Sequence, residues 1–318
     1  MDESATFLFL RLAMALFVRK LTRRFQGHLL EAQAALPKRR GPRVGLSGRV
    51  GPCSIRVAGA PSAEVHEPMS SMVLNRRETA PTGSPGIPLP SISFAGCAWL
   101  ISYHLGVIDV AREVCDLSRT TFLGASSGSL AAILAAAEIK TADALDFIIT
   151  MVRAVEPRWL GPFGRMSQTV TAGLRRLMPE DTYLRVRGRV YISVTRLPTL
   201  RNLLLPEREL RSNEELLRIA LASCYIPLYY ERPVFYGGFP ALDGGASDNL
   251  PQLDAHTVLV SPTPSFQRKR LDIFPKEEPP LITALLPRVT IVERLFEQGR
   301  EDALEFFTTT LAARARPE

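Results

Sequence analysis

Histidine and cysteine are scarce in this 318-residue chain, with four of each. Cys53, Cys97, Cys115 and Cys224 show neither a metal-ligand spacing nor the pattern of a disulfide framework. That fits a reducing compartment, and neither a metal nor another cofactor is indicated. The apolar run at residues 7–18 is broken by Arg11 and is too short to span a bilayer comfortably. Acidic residues are few at the start: residues 1–60 hold 11 Lys and Arg against 3 Asp and Glu, a net +8, while the rest carries −1, together the +7 of the whole chain. The body is therefore nearly neutral and no binding motif accompanies the basic tract, which argues against a nucleic-acid partner.

The basic start predicts a leader over 1–37, suited to lying in a lipid interface or to acting as an Arg-rich, acid-poor organelle transit peptide; a disordered extension is the plain alternative. Asp2 and Glu3 stand where a secretory signal would be positive. Residues 38–90 are rich in Pro, Gly, Ser and Arg, lack periodicity and read as a linker, so the N-terminal extension is expected to be flexible. A folded body follows over 91–310, ample for one core, with a short tail at 311–318.

The most informative segment is Gly124-Ala125-Ser126-Ser127-Gly128. Before it, Thr120-Thr121-Phe122-Leu123 is β-branched and apolar; after it, residues 129–137 are strong helix formers. A serine between strand and helix, flanked by glycines that allow unusual angles and close backbone approach, is the expected form of a nucleophile elbow. Ser126 is the candidate nucleophile, with N–H groups of the helix start beside it to favour an oxyanion. A small-residue turn that binds nothing is the bland reading. A second segment, Asp243-Gly244-Gly245-Ala246-Ser247-Asp248-Asn249-Leu250-Pro251, sets an acid at the end of an apolar run before a glycine turn. Asp243 there is either a base or a turn aspartate capping its own glycines.

Together these segments resemble the serine–aspartate dyad of the patatin-like phospholipases, and within them the adipose triglyceride lipase and adiponutrin group. Further resemblance lies in residues 92–97, 195–198, 223–229 and 297–306, so it extends in order over roughly 90–310. It implies a three-layer α/β sandwich with a mostly parallel central sheet. It also implies a lipid acyl hydrolase acting on triacylglycerol or glycerophospholipid, cytoplasmic and associated with a membrane or lipid-droplet surface; nothing in the sequence names a protein activator. The catalytic pair would be Ser126 and Asp243, with Gly244 and Gly245 as the turn that holds the proton acceptor. Asp243 would take the Ser126 proton, which works best in an apolar, partly desolvated site. An acyltransferase using the same nucleophile, and a weakly active lipid-surface regulator, are the alternatives.

The chain departs from the family in its oxyanion loop, Gly96-Cys97-Ala98-Trp99-Leu100-Ile101, where glycines are replaced by Ala98 and Ile101. If either position needs positive φ, the replacement costs about 1 kcal/mol or more. Among the histidines, His28 and His66 fall in the extension. His256 follows Ser126 and Asp243 in the order of a Ser–Asp–His triad, against the plainer reading of a solvated residue before a strand. His104 reads as a core or lid-facing residue of an apolar helix after Trp99. Further helices are expected at 141–155, 166–177, 213–223 and 291–309, the last with Ile291, Leu295, Leu304 and Phe307 facing the core. Strands are expected at 190–195, 234–236 and 257–261.

Overall fold

The computed structural model describes residues 87–206 and 209–311. The leader, nearly all of the linker, and Cys53, His28 and His66 lie outside the described residues.

Within them the protein has an α/β fold around a mixed, mostly parallel sheet. Four strands run parallel in the order β9 (Val258–Val260), β2 (Ser91–Phe94), β4 (Thr121–Ala125), β5 (Val190–Arg196). Beyond them, β6 (Arg201–Leu205) and β8 (Phe239–Leu242) pair antiparallel with β5, and β7 (Phe235–Tyr236) pairs with β8. All four residues of β2 are buried, as are Phe122 to Ala125 of β4. Burial on both faces suits the unbroken apolar and small run of β4, whereas β2 alternates serine with Ile92 and Phe94 and buries its serines as small residues. A separate short pair joins β1 (Ile87–Pro88) to β3 (Cys115–Asp116).

The principal helices are α1 (Ile101–Val114), entered through a 3-10 turn at Ala98–Leu100, α2 (Ser127–Ala136), α3 (Thr141–Val155), α4 (Met166–Leu177) and, after a short α5 (Thr182–Arg185), α6 (Asn213–Cys224). The strongly periodic helices α3 and α4 have the bounds expected from sequence. Near the C-terminus, α7 (Ile282–Leu285) precedes α8 (Val289–Glu305). The expected core stripe of α8 needs correction: Leu295 and Phe307 are buried, but Leu304 is exposed, and the face turned inward is Val292, Leu295, Gly299 and Ala303. Small residues set that face because α1 lies directly against it; a side chain at Gly299 would meet the Tyr103 carbonyl at 2.2 Å. The Tyr103 hydroxyl donates to Asp302 Oδ2 at 2.7 Å, fixing the pair.

Parallel strands bring their carboxyl ends to one edge. β4 ends there in Ala125 and β2 in Phe94, so the turn after β4 and the loop after β2 meet.

Candidate active site

Ser126 occupies the single residue between β4 and α2 at φ 52, ψ −130. A non-glycine residue at positive φ is held only where its surroundings over-determine it. Here its N–H donates to Ser223 Oγ at 2.8 Å, and that hydroxyl donates to the Ser193 carbonyl at 2.7 Å. Its carbonyl accepts from the Ser129 N–H at 2.9 Å and the Ser129 hydroxyl at 2.6 Å. The unusual angle thus falls on the serine itself. Gly124 and Gly128 serve close packing instead. An added Cβ at Gly124 would lie 2.3 Å from the Gly128 carbonyl oxygen, and one at Gly128 only 2.1 Å from that of Phe94. Without both, strand and helix could not approach this closely.

Asp243 follows β8 and opens a 3-10 turn at Gly244–Ala246. Its backbone is fixed by an N–H donated to the Tyr225 carbonyl at 2.9 Å and by the Thr195 hydroxyl donating to its carbonyl at 2.7 Å. Its Oδ1 accepts the Gly245 N–H at 2.8 Å, so it does cap its own glycines. Its Oδ2 is buried and makes no hydrogen bond of ordinary geometry. Burial raises the carboxyl from 3.8 to about 6, against the opposing pull of the Ser126 hydroxyl and the Gly245 N–H. The Ser126 hydroxyl thus lies near enough to favour the carboxylate, while Oδ2 itself makes no hydrogen bond.

Cys97 and Ala98 border the same space. Gly96 donates its N–H to the Asn249 carbonyl at 3.3 Å and accepts Asn249 Nδ2 at 3.2 Å. Cys97 donates its N–H to the Ser127 hydroxyl at 3.0 Å. Ala98 stands at φ 50, whereas Ile101 is in ordinary helical conformation at φ −54. Of these two positions only Ala98 stands in the backbone region that favours glycine; Ile101 does not.

In front of Ser126 lies a cavity of about 100 Å³ with almost wholly apolar walls. Ala98, Trp99 and Ile101 line one side; Leu130 and Leu134 of α2, Phe147 and Ile148 of α3, Met166, Val170 and Leu174 of α4, and Tyr229 line the rest. Trp99 Nε1 donates to the Tyr229 hydroxyl at 2.8 Å, so that wall carries few free polar groups. Burial pushes the Cys97 thiol up to about 12, opposed by the Ser127 hydroxyl, and also raises Cys224, which keeps both from competing as thiolates.

The histidines stand apart. His256 is exposed and precedes β9, at the end of the parallel sheet opposite Ser126. His104 is fully buried in α1, with Nε2 2.8 Å from the Ala95 carbonyl, and burial lowers it to about 4, the Ala95 hydrogen bond opposing. It is a core residue bonded to the segment that leads into Gly96 and Cys97. Ser193, Ser223 and Asn249 escaped the sequence reading. The last two lay inside segments already singled out, but polar side chains there carried no spacing that tied them to Ser126.

A strained serine at a strand-to-helix turn, a buried carboxylate beside it and an apolar cavity before it form a geometry able to carry acyl transfer. Residues 92–256, more than half of the chain, match the family model of the patatin-like phospholipases. The chain belongs to that family. It is 33% identical over 180 residues to 1-acylglycerol-3-phosphate O-acyltransferase Pnpla3 of Mus musculus, covering 54% of this chain and 43% of that one. It is 34% identical over 180 residues to Patatin-like phospholipase domain-containing protein 2 of Bos taurus, covering 54% and 37%. Omega-hydroxyceramide transacylase of Homo sapiens is 33% identical over 176 residues, covering 53% and 32%. The chain thus matches less than half the length of these relatives. Among solved structures, VipD from Legionella pneumophila superposes with a TM-score of 0.42 at 11% identity over 69% of this chain and 67% of that one, too slight a likeness to add to the assignment.

Proposed function

We propose that the protein is a lipid acyl hydrolase that cleaves carboxylic esters of triacylglycerol or glycerophospholipid through Ser126 and Asp243. The observation that carries this reading is the position of Ser126, at φ 52, facing the apolar cavity and adjacent to a buried carboxylate raised to about 6. Near neutral pH such a carboxylate is ionised yet a far better base than an ordinary aspartate. Asp243 takes the hydroxyl proton as Ser126 Oγ bonds to the ester carbonyl carbon. The carbonyl becomes an oxyanion facing the N–H groups of the Cys97–Ala98 loop and the start of α2. The C–O bond then breaks, the alcohol leaves with the proton, and the acyl chain remains on Ser126 inside the cavity. Water, deprotonated by Asp243, releases the acid and restores both residues.

Acyl transfer is a second reading, favoured by relatives whose names specify an acyltransferase and a transacylase. There a lipid alcohol takes the place of water. Ala98 holds the positive φ that a glycine adopts freely, a cost to stability in either case. The apolar leader over 1–37 is suited to holding the enzyme at a membrane or lipid-droplet surface, with 91–310 as the catalytic domain. Release of fatty acid from triolein or phosphatidylcholine emulsions, with and without added lysolipid or monoacylglycerol, tests these readings. Free acid produced by the wild type and abolished in Ser126→Ala is expected. Product confined to the acylated acceptor would assign transfer, and activity retained in Ser126→Ala would overturn both.

A further inference from the structure

Three segments meet around Tyr229, a wall of the cavity. The Gly164 N–H donates to the Tyr229 carbonyl at 3.0 Å, and Phe163 stands edge-on to the Tyr229 ring at 4.6 Å. The Tyr229 hydroxyl donates to the Leu285 carbonyl at 2.9 Å. The Val289 N–H reaches back to Glu156 Oε2 at 3.4 Å. Each segment carries exposed apolar side chains: Trp159 and Leu160 on the first, Leu228 on the second, Ile282 and Leu286 on the third. Trp159 is 91% exposed and Leu228 70%. Leu228 also stands at φ 72, so the backbone is held in a conformation unfavourable to leucine while its side chain faces solvent. Such a patch is costly in water and marks a contact surface.

Its charge indicates the partner. The same segments bear exposed Arg158, Arg165, Arg232 and Arg288, and among the described residues none of these makes an ion pair. Their two acids are occupied: Glu156 by the Val289 N–H, and Glu231 by the Ser167 and Gln168 N–H groups, both at 3.0 Å. An exposed tryptophan and leucines on segments that also carry exposed, unpaired arginines suit the headgroup boundary of an anionic lipid surface. We infer that the face formed by residues 156–165, 226–232 and 281–289 docks on an anionic membrane or monolayer, so that a lipid can pass its acyl chain into the cavity beside Tyr229 without crossing water. The inference rests on the reading of that cavity as an acyl-chain site.

Tryptophan emission tests it, because Trp99 is buried and Trp159 is not, and these are the chain's two tryptophans. The full chain is mixed with vesicles of phosphatidylcholine and phosphatidylserine whose acyl chains carry bromine. Trp159 emission is expected to be quenched, the exposed component of the quenching to be lost in Trp159→Ala so that only what a chain entering the cavity gives Trp99 remains, and Trp159→Ala/Leu228→Ser to bind about tenfold or more weakly. Salt should weaken the association. Vesicle binding without Trp159 quenching would mean that another part of the chain binds, and would overturn the inference. Self-association without lipid that the double variant abolishes would give the face to a second copy, with the same consequence. Hydrolysis of a soluble short-chain ester separates the two readings. Loss of hydrolysis with quenching intact removes the acyl-hydrolase reading and leaves the docking face; hydrolysis intact without quenching removes the docking face alone.

Discussion

The hydroxyl of Ser127 accepts the backbone N–H of Cys97 at 3.0 Å, tying the loop after β2 to the first turn of the helix that follows Ser126. An N–H engaged in this way must leave the hydroxyl, or share it, before it can serve an oxyanion.

Ser127→Ala removes that internal acceptor. The unpaired N–H should lower stability by about 1 kcal/mol, while turnover of a soluble short-chain ester rises several-fold to roughly tenfold because the donor becomes available in the transition state. Steady-state kinetics beside thermal unfolding checks both. A fall in kcat with the fold intact would mean that the hydroxyl positions the loop.

Asp243→Asn should lower turnover by roughly a hundred to ten thousand fold, the usual contribution of a general base, whereas His256→Gln should change it little. Comparable losses in both variants would restore the serine–aspartate–histidine triad.

The same carboxyl links activity to pH. Its ionised form is the base, so kcat/KM should rise with pH through about 6 and then level off. Stability runs the other way: a carboxyl raised by the fold stabilises it fully below the unfolded value near 3.8, and that contribution is lost as pH rises through about 6. Asp243→Asn should accordingly be more stable than wild type at pH 8, by about 2 kcal/mol, with the gain vanishing near pH 4. Thermal melts across pH would expose an ordinary aspartate by showing no such difference.

Ala98 and Ile101 should separate under glycine substitution. Ala98→Gly relieves a residue at φ 50 and should stabilise by about 1 kcal/mol. Ile101→Gly removes a buried side chain from a helical position and should destabilise by several kcal/mol. Melting temperatures moving the same way in both would contradict the backbone assignment.

Much of this was legible in the sequence. The turn at Ser126 showed because its chemistry is local: a strand former, small residues and a helix former in succession. Helices α3 and α4 showed because one face of each is apolar at regular spacing. The inward face of α8 did not, since Gly299 and Ala303 pack through their smallness and add nothing to an apolar count. The hairpin strand β8 and the edge strand β6 were missed because Phe239-Pro240-Ala241-Leu242 and Arg201-Asn202 lack the expected alternation. The proximity of Ser126 to Asp243 came through family resemblance, whereas the Ser223 and Asn249 contacts depend on the sheet bringing distant loops to one edge.

The central claim is that Ser126 is a live nucleophile. Reaction of the full chain with a fluorophosphonate, followed by peptide mass spectrometry, tests it directly. One adduct is expected, on Ser126, absent in Ser126→Ala and slowed in Asp243→Asn. Labelling at Ser127 or another serine, or labelling that persists in Ser126→Ala, would contradict it.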